Sequence, residues 1–491
     1  MAASMALSEL LSVAGRAMDP EVMISGVQID SRQVRAGDLF MAVPGLRHDG
    51  RQFIEQAVAN GAVAVVAEPP VAGFVDEISV PLIERAELQQ ETGVIAAKFF
   101  GHPSRALHMV GVTGTNGKTT TCWLTAQLTR LMGKSSGVIG TLGASLGDGI
   151  AEAANTTPDA VSLQQQLAKW RDKGVFSVGM EVSSHALVQG RVNGVVFETA
   201  VFTNLSRDHL DYHGSMADYG RAKTQLFMTE DLRHAIVNLD DGYAGELLSV
   251  IDPATRVLTY SICGAPDADI ALSEIRFHRA GVTAQVNSPW GSGTISSPLA
   301  GDFNLSNLAA AIAAVALMTS DFTALLAAVS KLKAVPGRMQ VIPNELDLQL
   351  IVDYAHTPDA LQHILQAMRP HVEGRLFTVF GCGGDRDRGK RATMGRIACE
   401  LSDKCVVTSD NPRSEDPLAI MQDIEAGCAG DYTLVVDRAE AIFLAVTAAE
   451  AGDCVVIAGK GHEDYQIVNG ERLHFRDEEQ VHIALASRAV S

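Results

Sequence analysis

The sequence predicts an α/β protein of three domains: a small N-terminal α/β domain, a central P-loop-type domain on a mostly parallel sheet, and a C-terminal Rossmann-like domain. Three observations carry this reading. The chain has 491 residues, and globular domains run to roughly 150 residues each. Short apolar runs alternate with helix-length segments, the pattern of parallel strands joined by crossover helices. Polar or glycine-rich loops follow many of those runs, and open parallel sheets bind ligands beyond the carboxyl ends of their strands.

In chain order, residues 1–88 mix the apolar runs Asp38–Val43 and Ala62–Ala67 with the turns Pro44-Gly45 and Asp49-Gly50. The central domain, 89–336, opens on the strand-like His108–Val112, a Gly/Thr loop, and a helical pattern from Thr119 to Met132. Gly133 sits where a glycine ends a helix in the left-handed conformation. The strand–loop–helix pattern is expected to recur to about residue 335, where Val335-Pro-Gly-Arg338 reads as a hinge. The third domain, 337–491, repeats the logic with strands at Leu348–Tyr354, Leu376–Phe380, Cys405–Thr408 and Cys454–Ala458.

Composition narrows the function classes. Acidic residues number 58 and basic residues 39, a net charge of −19, which disfavours coating nucleic acid or an anionic membrane. Aromatics at 5% leave little for stacking bases. The N-terminus lacks a basic segment followed by a long apolar one, so no signal peptide is expected. The apolar run Leu308–Met318 is about half the length of a membrane span. Seven scattered cysteines contain no CxxC pair, and a reducing cytoplasm is the expected compartment.

The strongest motif is Gly111-Val-Thr-Gly114-Thr115-Asn116-Gly117-Lys118-Thr119-Thr120. Between a strand and a helix, such a loop turns backbone N–H groups and a helix N-terminus toward phosphate. Lys118 would neutralise the β- and γ-phosphates of a nucleotide, and the Thr119 hydroxyl would ligate magnesium. The strict Walker spacing fails, because the residue five before Gly117 is Val112 rather than glycine. Glu181 ends the apolar run Val178–Glu181, where a carboxylate is costly without a cation to serve. It reads as a second magnesium ligand. After the strand-like Ala200–Thr203 comes a cluster of Arg207, Asp208, His209, Asp211 and His213. Arg413, in the Pro-restricted loop Asp410-Asn411-Pro412-Arg413, suits bidentate carboxylate capture, while Asp410 can accept from an ammonium. The Gly381–Lys390 loop is not a second phosphate loop, since Arg391 follows its Gly-Lys and offers no hydroxyl.

The run Thr113–Thr120 resembles the phosphate loop of the Mur ligases, ATP-dependent amide-forming enzymes of peptidoglycan precursor synthesis. Folylpolyglutamate synthases and cyanophycin synthetase share a related loop. The resemblance implies that Glu181 and His209 are metal ligands and that Lys223 is carbamylated, an anion able to help hold magnesium. It implies that Asn304 and Asn307 contact adenine, although asparagines opening the following Ala-rich helix could equally be its caps. Arg338, Asp353 and His356 are implied as the third domain's share of the nucleotide site.

Further segments resemble the branch acting on UDP-N-acetylmuramoyl-L-alanyl-D-glutamate: Ile29 to Arg32 with Ser31, Gly45 to Gly50 with Leu46, Arg47 and His48, then Asn155, Thr156, Thr157, Ser183, Gln189 and Arg191. Asp-Asn-Pro-Arg is the form the third-domain loop takes in the diaminopimelate-adding members. Arg386, Gly459 and Glu463 are implied to complete that pocket. The resemblance therefore implies a ligase using ATP and Mg2+ to add meso-2,6-diaminopimelate through an acyl phosphate, and with the composition above a cytoplasmic monomer is expected, with no nucleic-acid partner and no membrane insertion. The alternatives are ligation of lysine on the same fold, against which the Asp410–Arg413 loop speaks, ligation of glutamate, against which the UDP-substrate motifs speak, and a nonenzymatic ATP-driven switch, which Glu181, His209 and Lys223 disfavour.

Overall fold

A computed structural model describes residues 4–12, 21–45, 48–75, 77–147, 149–151 and 156–488. It divides into two compact units, 1–260 with 310–319, and 261–309 with 320–491.

The first unit begins with a four-stranded parallel sheet of β1 (Gly26–Gln28), β2 (Asp38–Ala42), β3 (Ala64–Ala67) and β4 (Leu82–Glu84) in that order. Every residue of β2 and β3 is buried, which is why both read as plain apolar runs rather than alternating ones. Helix α1 (Ile54–Ala59) joins β2 to β3, and α2 (Leu88–Phe99) follows β4.

A larger sheet follows in the same unit. Its elements are β5 (His108–Thr113), α3 (Lys118–Leu131), β6 (Ser136–Gly140), β7 (Gly143–Leu146), α4 (Ala160–Asp172), β8 (Ser177–Glu181), α5 (Ser184–Val188), β9 (Thr199–Phe202), α6 (Met216–Thr224), β10 (His234–Asn238) and β11 (Arg256–Ser261). The strand order is β7-β6-β8-β5-β9-β10-β11, parallel from β6 onward, with β7 antiparallel at one side. Helix α3 carries five threonines, poor helix formers. Thr125 and Thr129 bond back to the carbonyls four residues earlier, and Gly133 ends the helix at φ 80° as expected.

The second unit starts with an antiparallel meander, β12 (Ile270–His278), β13 (Gly281–Ser288) and β14 (Gly291–Ser297). This corrects the expectation of strand–helix alternation up to residue 335: tight turns at Gly281 and Gly291, both at positive φ, return the chain directly. Helix α7 (Asp302–Ala316) carries the alanine-rich run, and the division between units falls within it.

A parallel sheet then forms in the order β15 (Gln349–Asp353), β19 (Cys454–Ala458), β16 (Leu376–Phe380), β17 (Lys404–Val407), β18 (Tyr432–Leu434). Its crossovers are α8 (Pro358–Met368), α9 (Gly389–Leu401), α10 (Pro417–Glu425) and α11 (Arg438–Ala448). The hairpin β20 (Tyr465–Val468) and β21 (Glu471–His474) precedes the terminal helix α12 (Asp477–Arg488). Thr357 and Asp416 cap α8 and α10, each with proline at the first turn. Apolar clusters fill both faces of this sheet. No helix among the described residues is long and apolar enough to cross a membrane.

Candidate functional site

In the first unit the glycine loop leaves the central strand β5 and enters α3. Gly114 has φ 150°, and a Cβ there would stand 1.9 Å from the Thr203 hydroxyl, so only glycine fits. The segment after β9 braces the loop. Asn204 accepts from the Asn116 N–H at 2.9 Å through its side chain and from the Thr115 N–H at 2.9 Å through its carbonyl. Thr203 donates to the Asn116 carbonyl at 2.6 Å. The Ser206 N–H donates to the Thr115 hydroxyl at 3.0 Å.

Two lysines meet at this loop. Lys118 Nζ donates to the carbonyls of Gly114 at 2.9 Å and Thr115 at 2.8 Å. Lys223, on α6, donates to the same Gly114 carbonyl at 2.7 Å and lies 4.2 Å from the Tyr219 ring centre. Lys223 is only 2% exposed. Burial, and secondarily the Lys118 charge, push its amine well below the ordinary lysine range. Thr119 and Thr120 are buried at the head of α3.

Glu181, 1% exposed, ends β8. Its carboxylate accepts from the Thr141 N–H at 2.8 Å and the Thr141 hydroxyl at 3.1 Å. Both donors are neutral, and among the described residues no basic side chain is paired with it. The buried charge is thus hydrogen-bonded and uncompensated, which fits an oxygen-preferring cation such as magnesium. The His209 ring is 3.4 Å from Asp208 and 4.8 Å, edge-on, from His185. Among the described residues no three His, Cys, Asp or Glu side chains form a metal-holding group.

The other predicted contacts of this unit form a chain leading away from Glu181. Thr157 donates to the Glu181 carbonyl at 2.9 Å, and Thr156 receives from Thr141 at 3.2 Å. Ser183 caps α5 and lies 3.3 Å from Thr157. Arg191 donates to the Thr157 carbonyl at 3.0 Å and to Gln189 at 2.8 Å. In the N-terminal sheet region Ser31 donates to Gln56 at 2.8 Å, and the Gly45 N–H donates to the His48 carbonyl at 3.0 Å. Ile29 is half-buried and His48 exposed. Leu46, Arg47 and Asn155 lie outside the described residues.

In the second unit Asn304 and Asn307 do not cap α7, which begins two residues before the first of them. Both are buried inside its first turns, and Asn304 donates to the Ala300 carbonyl at 2.9 Å. The Arg338 guanidinium lies 4.6 Å from the Tyr354 ring centre, and its buried Nε has no hydrogen-bond partner. Asp353, ending β15, accepts from the Met339 N–H and the Ala355 N–H at 2.7 Å each. His356 Nδ1 is 2.8 Å from the Tyr354 carbonyl.

The residues expected to meet the amino acid lie on three loops at the carboxyl ends of β16, β17 and β19. A Cβ on Gly384 would stand 2.0 Å from the Pro412 carbonyl, so glycine lets the first two loops touch. Arg413, at φ 55°, donates to the Gly384 carbonyl at 2.7 Å. Asn411 donates to Glu463 at 2.9 Å. Gly459, at φ 122°, lies against Asp410. Arg386 is exposed and donates only to the neighbouring Asp385 carbonyl at 3.1 Å. Arg391 is buried between Glu415 and Asp423, each at 2.9 Å, which agrees with a structural role for the Gly-Lys-Arg segment.

Lys460 was absent from the sequence expectations. It is fully buried between Asn411 and Glu463 at 3.2 Å each and Asp410 at 3.5 Å. A lysine between two glycines directly after an apolar strand was the available signal. Thr141 and Tyr219 were also missed, and nothing in their local sequence marks them.

Comparison with known proteins adds the following. Three family models match: "Mur ligase family, catalytic domain" over residues 23–98, "Mur ligase middle domain" over 112–315, and "Mur ligase, glutamate ligase domain" over 337–461. A Coxiella burnetii protein named UDP-N-acetylmuramoyl-L-alanyl-D-glutamate--2,6-diaminopimelate ligase is 45% identical over 484 residues, covering 98% of this chain and 99% of the relative. A Pseudomonas aeruginosa protein of the same name is 45% identical, covering 98% of both. A solved structure with that enzyme name in its title superposes with a TM-score of 0.77 at 38% identity, over 99% of this chain and 100% of the other. MurF ligase from Thermotoga maritima in complex with ADP shares the fold, with a TM-score of 0.64 at 20% identity over 94% of this chain and 98% of the other.

Proposed function

This chain belongs to the Mur ligase family, and from that premise we propose that it joins meso-2,6-diaminopimelate to UDP-N-acetylmuramoyl-L-alanyl-D-glutamate at the expense of ATP. The observation that carries the reading is the convergence of Lys118 and Lys223 on the Gly114 carbonyl, where α3 presents its N-terminus. The Lys118 ammonium beside the N-terminus of α3 makes a receptor for a polyphosphate.

In this reading a D-glutamyl carboxylate oxygen attacks the γ-phosphorus of ATP, the bond to the β-bridging oxygen breaks, and ADP leaves. The diaminopimelate amine then adds to the acyl phosphate, loses its proton, and the tetrahedral intermediate expels inorganic phosphate. The protein contributes positioning and charge stabilisation and needs no nucleophile of its own. The loop N–H groups and Lys118 would hold the transferring phosphoryl group. Burial disfavours the charged form of the Lys223 amine, and an unprotonated amine is the form that adds carbon dioxide to become a carbamate. Magnesium would be held by Thr119, Glu181, His209 and that carbamate, and it supplies charge neutralisation at the phosphate oxygens. Asn304, Asn307, Arg338, Asp353 and His356 are proposed to bind the nucleotide. Ser31, His48, Thr156, Thr157, Ser183, Gln189 and Arg191, with Leu46, Arg47 and Asn155, are proposed for the UDP-linked substrate.

For the amino acid, Arg413 and Arg386 would take a carboxylate and Asp410 and Glu463 an ammonium, with Gly459 leaving room. A distal end bearing both groups is diaminopimelate, and lysine lacks the carboxylate. We assign domains at 1–88, 89–336 and 337–491 to the UDP-substrate, ATP and amino acid respectively. A monomer acting in the cytoplasm completes the reading, supported by free thiols at all seven cysteines.

The test is phosphate release with ATP, magnesium and the UDP-linked acceptor, adding meso-diaminopimelate or L-lysine in parallel. Release with diaminopimelate alone is expected. Release with lysine instead would overturn the assignment of Arg413, and release with neither would overturn the ligase reading.

A further inference from the structure

Lys460 is a charged pocket side chain that the reading above leaves without a role. It follows β19 in the sequence Gly459-Lys460-Gly461, is completely buried, and points its ammonium at oxygens of Asp410, Asn411 and Glu463. Asp410 and Glu463 are the two acids proposed to meet the substrate's distal ammonium. Asn411 is clamped in the same set: it donates to Glu463 at 2.9 Å and accepts from the Ile467 N–H at 2.9 Å. Lys460 also lies 5.5 Å from the Tyr465 ring centre. Beneath the neighbouring Gly459, Arg438 and Asp477 neutralise each other at 2.7 Å, so that pair leaves the pocket's balance unchanged.

We infer that Lys460 is a positioning residue for amino-acid selection: it holds Asp410, Asn411 and Glu463 in place and sets the charge of the pocket. This rests on the ligase reading given above. Counting Lys460 with only the groups proposed to meet the amino acid, Arg386, Arg413 and Lys460 are cationic, and Asp410 and Glu463 anionic. The sum is one positive charge. Such a pocket favours a distal end that is a zwitterion over one that is only an ammonium, because the extra substrate cation meets like charge at close range. Removing the lysine charge takes the pocket to neutrality and frees two carboxylates to receive a plain ammonium. Lys460 therefore rejects lysine, whereas Arg413 attracts the carboxylate. Its methylene stem, sealed under the loops, also fixes the acids' geometry, and an ammonium is a compact charge that a planar guanidinium does not copy.

The experiment measures kcat/KM for meso-diaminopimelate and for L-lysine, and KM for ATP, in the wild type, Lys460→Met and Lys460→Arg. In Lys460→Met the preference for diaminopimelate over lysine should fall at least about tenfold, a conservative floor for removing one like-charge contact at close range, with KM for ATP within about twofold. Lys460→Arg should keep most of the preference while KM for diaminopimelate rises. General structural damage would depress both amino acids and ATP together, and that pattern, or an unchanged preference in Lys460→Met, overturns the inference. If Lys460→Met does not fold, Lys460→Arg decides: an unaltered KM for diaminopimelate contradicts the positioning role. A wild type that does not use diaminopimelate at all would instead overturn the ligase reading.

Discussion

Two buried lysines, one in each unit, show how partners rather than burial decide what a lysine can do. Lys223 sits against a carbonyl, a tyrosine ring and a second lysine. It pairs with no carboxylate among the described residues, and its amine is pushed well down. Lys460 is at least as buried but has two carboxylates and an amide oxygen within 3.5 Å. The first environment disfavours the charged amine, which in the proposed function readies it for carbamylation. The second locks opposite charges together before any ligand arrives. The surroundings of Lys223 thus lack a paired carboxylate, whereas those of Lys460 come close to a completed charge balance.

The sharpest way to break the comparison is at the phosphate loop. Lys118→Ala should cut turnover by roughly a thousandfold or more, since the transferring charge loses its principal side-chain cation; phosphate release under saturating substrates reads this directly. Next in size, Lys223→Ala should lose roughly a hundredfold or more in kcat. A small carboxylate such as acetate should restore part of it by standing where the carbamate stood, and failure of any carboxylate to do so would argue against carbamylation. In the second unit, Arg413→Ala should lower kcat/KM for diaminopimelate by roughly a hundredfold, the scale of a charge-assisted bidentate pair, with KM for ATP nearly unchanged. Equal effects on both substrates would remove Arg413 from amino-acid selection.

The smallest effect concerns pH. Burial, then the Arg338 charge, bring His462 from 6.5 to about 4. Between those values the unfolded chain binds a proton that the folded chain does not, so folding stability rises with pH across the window and its full share is present above about 6.5. Acidifying from pH 7 to 5 should lower the melting temperature, and His462→Gln should make that drop smaller by about 2–4 °C. Parallel pH dependence in the two proteins would contradict the shift.

Much of the fold could be read from the sequence because its central strands are buried on both faces. Leu376–Phe380 and Cys454–Ala458 appear end to end as expected, and His108–Val112 needs only one more residue. The meander at 270–297 was misjudged because strand alternation does not say whether the next strand returns directly or through a helix; two glycines at positive φ decide that. For Asn304 and Asn307 the sequence left capping and a nucleotide contact equally open, and the structure removes capping, since Asp302 begins the helix and buries them within its first turns. For the site, the phosphate loop and the Asp410–Arg413 loop were visible as local motifs. Lys460 was not, because its meaning lies in side chains 49 and 3 residues away in the chain. Glu181 was correctly singled out as a buried acid, but Thr141, its hydrogen-bonding partner, lies 40 residues away.

The most direct test of the account follows oxygen rather than rate. The D-glutamyl carboxylate of the UDP-linked acceptor is labelled with 18O, and the inorganic phosphate released in the presence of ATP, magnesium and meso-diaminopimelate is examined by mass spectrometry. Transfer through an acyl phosphate predicts one labelled oxygen in each phosphate released, with the other left in the new amide. Unlabelled phosphate would contradict the central claim, because the carboxylate would then never have been bonded to phosphorus.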